Sequence, residues 1–196
     1  HFRGADRDVF ILCGGPANTP ARAEVELGSS EYAKHVLGEV WGFPPALDLK
    51  HEAALQKCLQ ELAREHMVES AHDLSDGGLA VAIAESAFPL SVGAEISLNS
   101  NGSFAEAMLF GEEASRVLIT CDRKKAEDIK RTAVKWGLRA DRIGRTIPEK
   151  LEIKIDGNTV VSAAVSELKQ VWDTALPRAL HADTPEHLVP ETLQKS

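Results

Sequence analysis

The chain has 196 residues, 43% of them hydrophobic and 27% charged, with a formal net charge of −8. That balance describes an ordinary globular protein, long enough to bury a core without metal or disulfide staples. The acidic excess excludes a general nucleic-acid surface, which needs basic residues, and leaves room only for a local pocket that takes a small phosphate. No stretch reaches the ~18 apolar residues of a membrane span. Cys13, Cys58 and Cys121 are odd in number and include no CxxC. They read as three reduced thiols of a cytoplasmic protein, not as a zinc or disulfide framework. The chain starts His-Phe-Arg-Gly, without an initiator methionine or a signal-peptide pattern, so a piece of a longer chain is expected.

In chain order, DVFILCGG (Asp8–Gly15) is an apolar run closed by glycines and predicts a buried strand. PANTPARAEVELGSS predicts a loop, and SSEYAKHVLG a short helix with Ser30 as N-cap and Gly38 as stop. WGFPPAL is irregular because two prolines remove donors. The next segment is the clearest helix: Asp48 can cap it, and Leu55, Cys58, Leu59, Leu62 and His66 follow helical spacing. VESAHDL predicts a strand. GGLAVAIAESAF then predicts a buried helix with Leu79, Ala80, Ile83, Ala84, Ala87 and Phe88 on one face.

SVGAEISL alternates, with Val92, Ala94, Ile96 and Leu98 on one side of a strand. A turn, a short helix from Ser103, a buried strand SRVLITC and an amphipathic helix ending at Gly137 follow. Arg139–Ile147, Lys150–Asp156 and NTVV read as strands, with hairpin chemistry at Asp156-Gly157-Asn158. A last helix starts with Ser162 as cap. Residues 1–176 form one domain, and 177–196 an extended or mobile tail. The mixture of alternation and hairpins predicts an α+β fold, with a mixed, largely antiparallel sheet covered by helices.

Most of the polar chemistry lies in HDLSDGGLAVAIAES, from His72 to Ser86. A helix start exposes unpaired N–H groups and a partial positive charge, and glycines let an anion approach the backbone. Ser75, Gly77 and Gly78 can therefore cradle a phosphate. Alternatively, Ser75 or Asp76 merely caps the helix and the glycines relieve crowding. His72 and Asp73 are acid–base or metal candidates, or simply bond the adjoining turn. In GEEASR (Gly111–Arg116), Arg116 can clamp a phosphate or pair with Glu112 or Glu113. The chain contains no Walker loop, GxGxxG, HExxH or GxSxG.

The segments GSSEYAKHVLGEVWGFPPALDLKHEAAL, SAHDLSDGGLAVAIAES and FGEEASRVLIT occur in the order found in the phosphoribosylformylglycinamidine synthase family. The chain resembles the last domain of the synthetase subunit, of the kind shared with aminoimidazole ribonucleotide synthetases, over about Val9 to Ala175. SEY…PPALDL is the specific part, since the DGG turn alone also suits a related ATP-dependent synthetase or kinase.

The resemblance implies an ATP- and Mg2+-dependent ligase of purine biosynthesis that turns an amide into an amidine with ammonia from a glutaminase partner. It also implies a small phosphorylated substrate and preceding N-terminal synthetase domains that carry the metal ligands and the catalytic histidine. On this chain it leaves no catalytic and no metal residue, and makes His72 no catalytic group. Ser75, Gly77, Gly78 and Arg116 become candidates for holding a phosphate or nucleotide, with Glu112, Ser115 and Arg116 fixing loops at the same edge. A fragment of this kind is inactive alone. The other expectation is a purely structural, interface-forming domain of the same enzyme.

Overall fold

The computed structural model describes residues 1–13, 27–39 and 41–182. Its strands are β1 (Asp8–Cys13), β2 (Ser70–Asp73), β3 (Val92–Leu98), β4 (Arg116–Cys121), β5 (Arg139–Pro148), β6 (Lys150–Ile155) and β7 (Asn158–Ala164). Its helices are α1 (Leu49–Arg64), α2 (Gly78–Ala87), α3 (Ala105–Phe110), α4 (Ala126–Lys135) and α5 (Val165–Ala182). The strands form one sheet in the order β2-β4-β1-β5-β3-β6-β7. β3 and β6 run parallel, and the other neighbours are antiparallel. The α+β expectation therefore holds, down to the mixed sheet with helices on it.

Burial explains the two kinds of strand pattern. β1 is apolar at consecutive positions because both of its faces are covered. Val9 and Ile11 join Leu79, Ala82 and Ile83 of α2 on one side. Phe10 and Leu12 join Leu55, Cys58 and Leu62 of α1 and Ile129 and Ala133 of α4 on the other. β3 and β6 alternate because one face is solvated. Ala94, Ile96, Leu151 and Ile153 point into the α2 layer. On the other face Lys154 Nζ lies 2.7 Å from Glu152 and 3.5 Å from Glu95. Each fully buried Ile or Leu contributes about 1.5–3 kcal/mol relative to exposure, so these two apolar layers account for the hold of helices on sheet.

Several local expectations are met. Ser30 Oγ accepts from the Ala33 N–H at 3.2 Å, and a single π-type turn, Ala33–Leu37, ends at Gly38. Asp48 Oδ1 accepts from the N–H groups of Lys50 and His51 at 2.8 and 3.3 Å and starts α1. Asp156 and Gly157 both have positive φ in the β6–β7 turn, as a tight hairpin requires. Most of the expected loop before Leu27 lies outside the described residues.

Four expectations are corrected. Ser162 does not cap the last helix: it lies within β7 opposite Glu152, because β6 supplies a ladder that local sequence does not reveal. α5 starts three residues on, where Glu167 Oε2 accepts from the Ala164 N–H at 3.1 Å. α5 also continues through Pro177 to Ala182, into the stretch expected as tail. Proline removes one helical bond, and Ala175, Leu176, Ala179 and Leu180, all good helix formers, carry the helix across it. Residues 183–196 lie outside the described set.

The buried face of α2 is the expected one in part: Leu79, Ile83, Ala87 and Phe88 are buried as expected, Ala82 and Ser86 join them, and Ala80 and Ala84 are only half-buried. His66 is not on α1 at all; it is exposed beyond the helix end at φ 51°. Among the described residues, no helix is long and apolar enough to cross a membrane.

Candidate functional site

β2 ends at Asp73, and the chain turns through Leu74–Gly77 into α2. Beside this turn runs the loop from α3 to β4, Gly111–Ser115. The two strands are tied where they leave the sheet, with the Leu74 N–H donating to the Arg116 carbonyl at 3.1 Å. Between the turn and the loop lies a cleft of about 340 Å³, lined among others by Glu52, Asp73, Ser75, Glu112, Ser115 and Arg116.

The candidate residues thus converge, but the turn is built differently from a free phosphate cradle. Gly77 stands at the N-cap of α2 in the left-handed region, φ 78°, with no side chain of its own neighbourhood capping the helix. Its N–H donates to Glu112 Oε1 at 2.8 Å. The Gly78 N–H donates back to the Ser75 carbonyl at 3.0 Å. A Cβ on Gly78 would stand 2.7 Å from the Gly111 carbonyl oxygen, so the second glycine admits the neighbouring loop. Ser75 and Asp76, the expected local caps, are exposed, and a carboxylate from a distant loop takes their place.

Glu112 Oε1 also accepts from the Glu31 N–H at 2.9 Å. The stacking of Tyr32 on Phe110, centroids 4.8 Å apart, holds the same two segments together. Ser115 Oγ donates to Glu52 Oε2 of α1 at 2.7 Å. Glu112 and Ser115 therefore fix loops at this edge, as the resemblance implied. Arg116 faces the cleft and, among the described residues, pairs loosely with Glu113 at 3.5 Å. His72 does not enter the cleft lining. Its Nδ1 meets the Asp73 carbonyl at 2.7 Å and its Nε2 lies 3.3 Å from Glu85 on α2, so it links strand to helix.

The sequence marks Glu112 as a loop-fixing residue and a possible partner of Arg116, not as the partner of the Gly77 N–H, and it does not reveal Glu52 or the Tyr32–Phe110 stack. The one available signal was the pairing of GEEASR with a diglycine turn that lacks a reliable local cap.

The cleft's charge does not match a nucleotide. Four carboxylates (Glu52, Asp73, Glu112, Glu113) face one guanidinium, Arg116, and that excess repels a triphosphate. Nor, among the described residues, do three or more His, Cys, Asp or Glu side chains come together to hold a metal ion. Among the described residues, this cleft fits neither ATP nor Mg2+.

The sheet order, the diglycine turn and the loop that buttresses it can be set beside known proteins. The model of the AIR synthase related protein C-terminal domain matches residues 8–156. The chain belongs to this family. Within it, this AIR synthase related C-terminal domain is 34% identical over 167 residues to the phosphoribosylformylglycinamidine synthase subunit PurL of Thermoanaerobacter sp. (strain X514), covering 85% of this chain and 22% of that protein. It is 37% identical over 170 residues to PurL of Moorella thermoacetica, covering 87% and 22%. T. maritima PurL complexed with FGAR shares the fold, with a TM-score of 0.71 at 21% identity over 84% of this chain and 28% of that one. The AIR synthase related domain thus spans about a fifth of the length of the curated relatives it matches.

Proposed function

We propose that this chain is the C-terminal domain of the synthetase subunit of a phosphoribosylformylglycinamidine synthase, the ligase that converts formylglycinamide ribonucleotide to its amidine in purine biosynthesis. The observation that carries this is the 34–37% identity to PurL subunits over 85–87% of the chain. In this reading ATP and Mg2+ are held mainly by preceding synthetase domains. Ammonia comes from a glutaminase partner, and the whole assembly works in the cytoplasm. Within the cleft, Arg116 and the exposed Ser75 face the substrate phosphate. Arg116 is suited to this, since its ion pair with Glu113 is long at 3.5 Å and a phosphate offers stronger bidentate bonds.

The purified chain, given formylglycinamide ribonucleotide, ATP, Mg2+ and ammonia, is expected to form no amidine, while the full-length protein turns over. A purine auxotroph lacking the subunit should grow with the full-length gene and fail when this domain is deleted. Turnover by the chain alone, or growth without the domain, overturns the proposal.

One observation favours a second possibility, a domain that only buttresses its neighbours: the Gly77 N–H is already engaged by Glu112. Arg116→Ala in the full-length protein separates the two. A substrate-facing Arg116 predicts a KM raised by about tenfold or more with kcat little changed, in keeping with a lost charge-assisted bond of ~1.5–3 kcal/mol. A purely structural domain predicts unchanged KM.

A further inference from the structure

We propose that the carboxylate of Glu112 is the resident anion of the diglycine turn. The Gly77 N–H then serves to position the cleft wall, and no substrate or nucleotide phosphate uses it. This stands on the geometry of the chain itself and not on the parent reaction.

Both glycines have positive φ, and a Cβ on Gly77 would also strike Val81 of α2 at 2.5 Å; the segment that carries Glu112 engages each of them. Gly77 supplies the left-handed N-cap from which its N–H reaches Glu112 Oε1 at 2.8 Å. Gly78 supplies the close approach, since any Cβ there would strike the backbone of Phe110 and Gly111 at 2.7–2.9 Å. The N-cap of the ten-residue helix α2 is a glycine and offers no side chain of its own. A carboxylate at its start meets the partial positive charge that an anion would otherwise neutralise.

The same oxygen takes the Glu31 N–H at 2.9 Å. One carboxylate thus clips together three segments far apart in sequence: the Glu31 turn, the diglycine turn and the α3–β4 loop. A phosphate entering this slot would have to displace Glu112 and then sit against Glu113, Asp73 and Glu52 along the same cleft, a like-charge arrangement that costs affinity. Any phosphate in the cleft is therefore met by the Arg116 and Ser75 side chains and not by the Gly77 N–H.

The test is a titration of the 196-residue chain with inorganic phosphate, reading the backbone amide resonances of Gly77 and Glu31. In the wild-type chain neither amide should move. In Glu112→Ala the slot is left with two converging N–H donors and no anion. Phosphate should then shift both resonances and raise the melting temperature of this variant only. A phosphate-induced shift of Gly77 in the wild type overturns the proposal, as does a folded Glu112→Ala whose two amides ignore phosphate.

Should Glu112→Ala fail to fold, Glu112→Gln decides. Its amide oxygen keeps both acceptor bonds without the charge, so a native spectrum with faster hydrogen exchange at Gly77 supports the resident anion. Unchanged exchange in Glu112→Gln overturns it.

Discussion

Cys58 and Cys121 show how a residue's chemistry follows from its surroundings. Both are fully buried between the sheet and the α1/α4 layer. Burial pushes the Cys58 thiol up to about 11, with nearby Glu61 adding to the shift. It pushes Cys121 up to about 12, with Asp8 the next contributor. The thiolate is the reactive form, so neither side chain should react with iodoacetamide at pH 8 in the native protein. Both should be alkylated once denaturant unfolds it, with the counts read by mass spectrometry. Native-state labelling of either would show that the layer opens. The diglycine turn teaches the complementary lesson. Its residue types were legible as anion chemistry, and that chemistry is present, but the anion is Glu112 of the same chain. No local pattern reveals that, because the acceptor lies 35 residues from Gly77 and 81 from Glu31.

Among the elements, α1 was the most legible, because its cap and its buried stripe are both local. Two backbone N–H groups, Lys50 first and His51 second, hold the Asp48 carboxyl below the ordinary aspartate range. A depressed carboxylate contributes stability above its unfolded value of about 3.9 and loses it as pH falls through the lower folded value. Asp48→Ala should therefore melt below the wild type at pH 7, and the gap should close as the pH is lowered below about 4. A gap that persists at low pH would mean the cap is not acting through its charge.

The parallel contact of β3 with β6 was not legible. Gly93 looks like an ordinary strand residue, yet a Cβ there would stand 1.8 Å from the Lys150 carbonyl oxygen. Gly93→Ala should cost about 3 kcal/mol or more, at the upper end of overpacking effects, measured by urea unfolding. A loss well under 1 kcal/mol would show that the strands can part cheaply. β7 was misjudged for a related reason. Ser162 carries a capping signal, but the hydrogen bonds offered by β6 outweigh it.

For the molecule as a whole, the exposed apolar side chains are as informative as the buried ones. Phe43, Leu47 and Leu49 are 82%, 57% and 72% exposed, within the segment that carries the specific part of the resemblance. Phe43 contributes little to the stability of this chain. Phe43→Ser should shift its unfolding free energy by no more than about 0.5 kcal/mol, as for other surface changes. A larger loss in calorimetry would place Phe43 in a packed core.

By itself the sequence determined the kinds of elements, most of their bounds, the family and several of the residues at the cleft, Glu52 excepted. Helical and strand periodicities, caps and tight turns act over a few neighbouring residues, and the ordered motifs need no coordinates. Only the tertiary structure decided the strand order, the burial of Ala82 and Ser86 on α2, the extension of β7 and the partner of the Gly77 N–H. Each of those depends on hydrogen bonds and contacts between segments remote in the chain, whose energies no local pattern encodes.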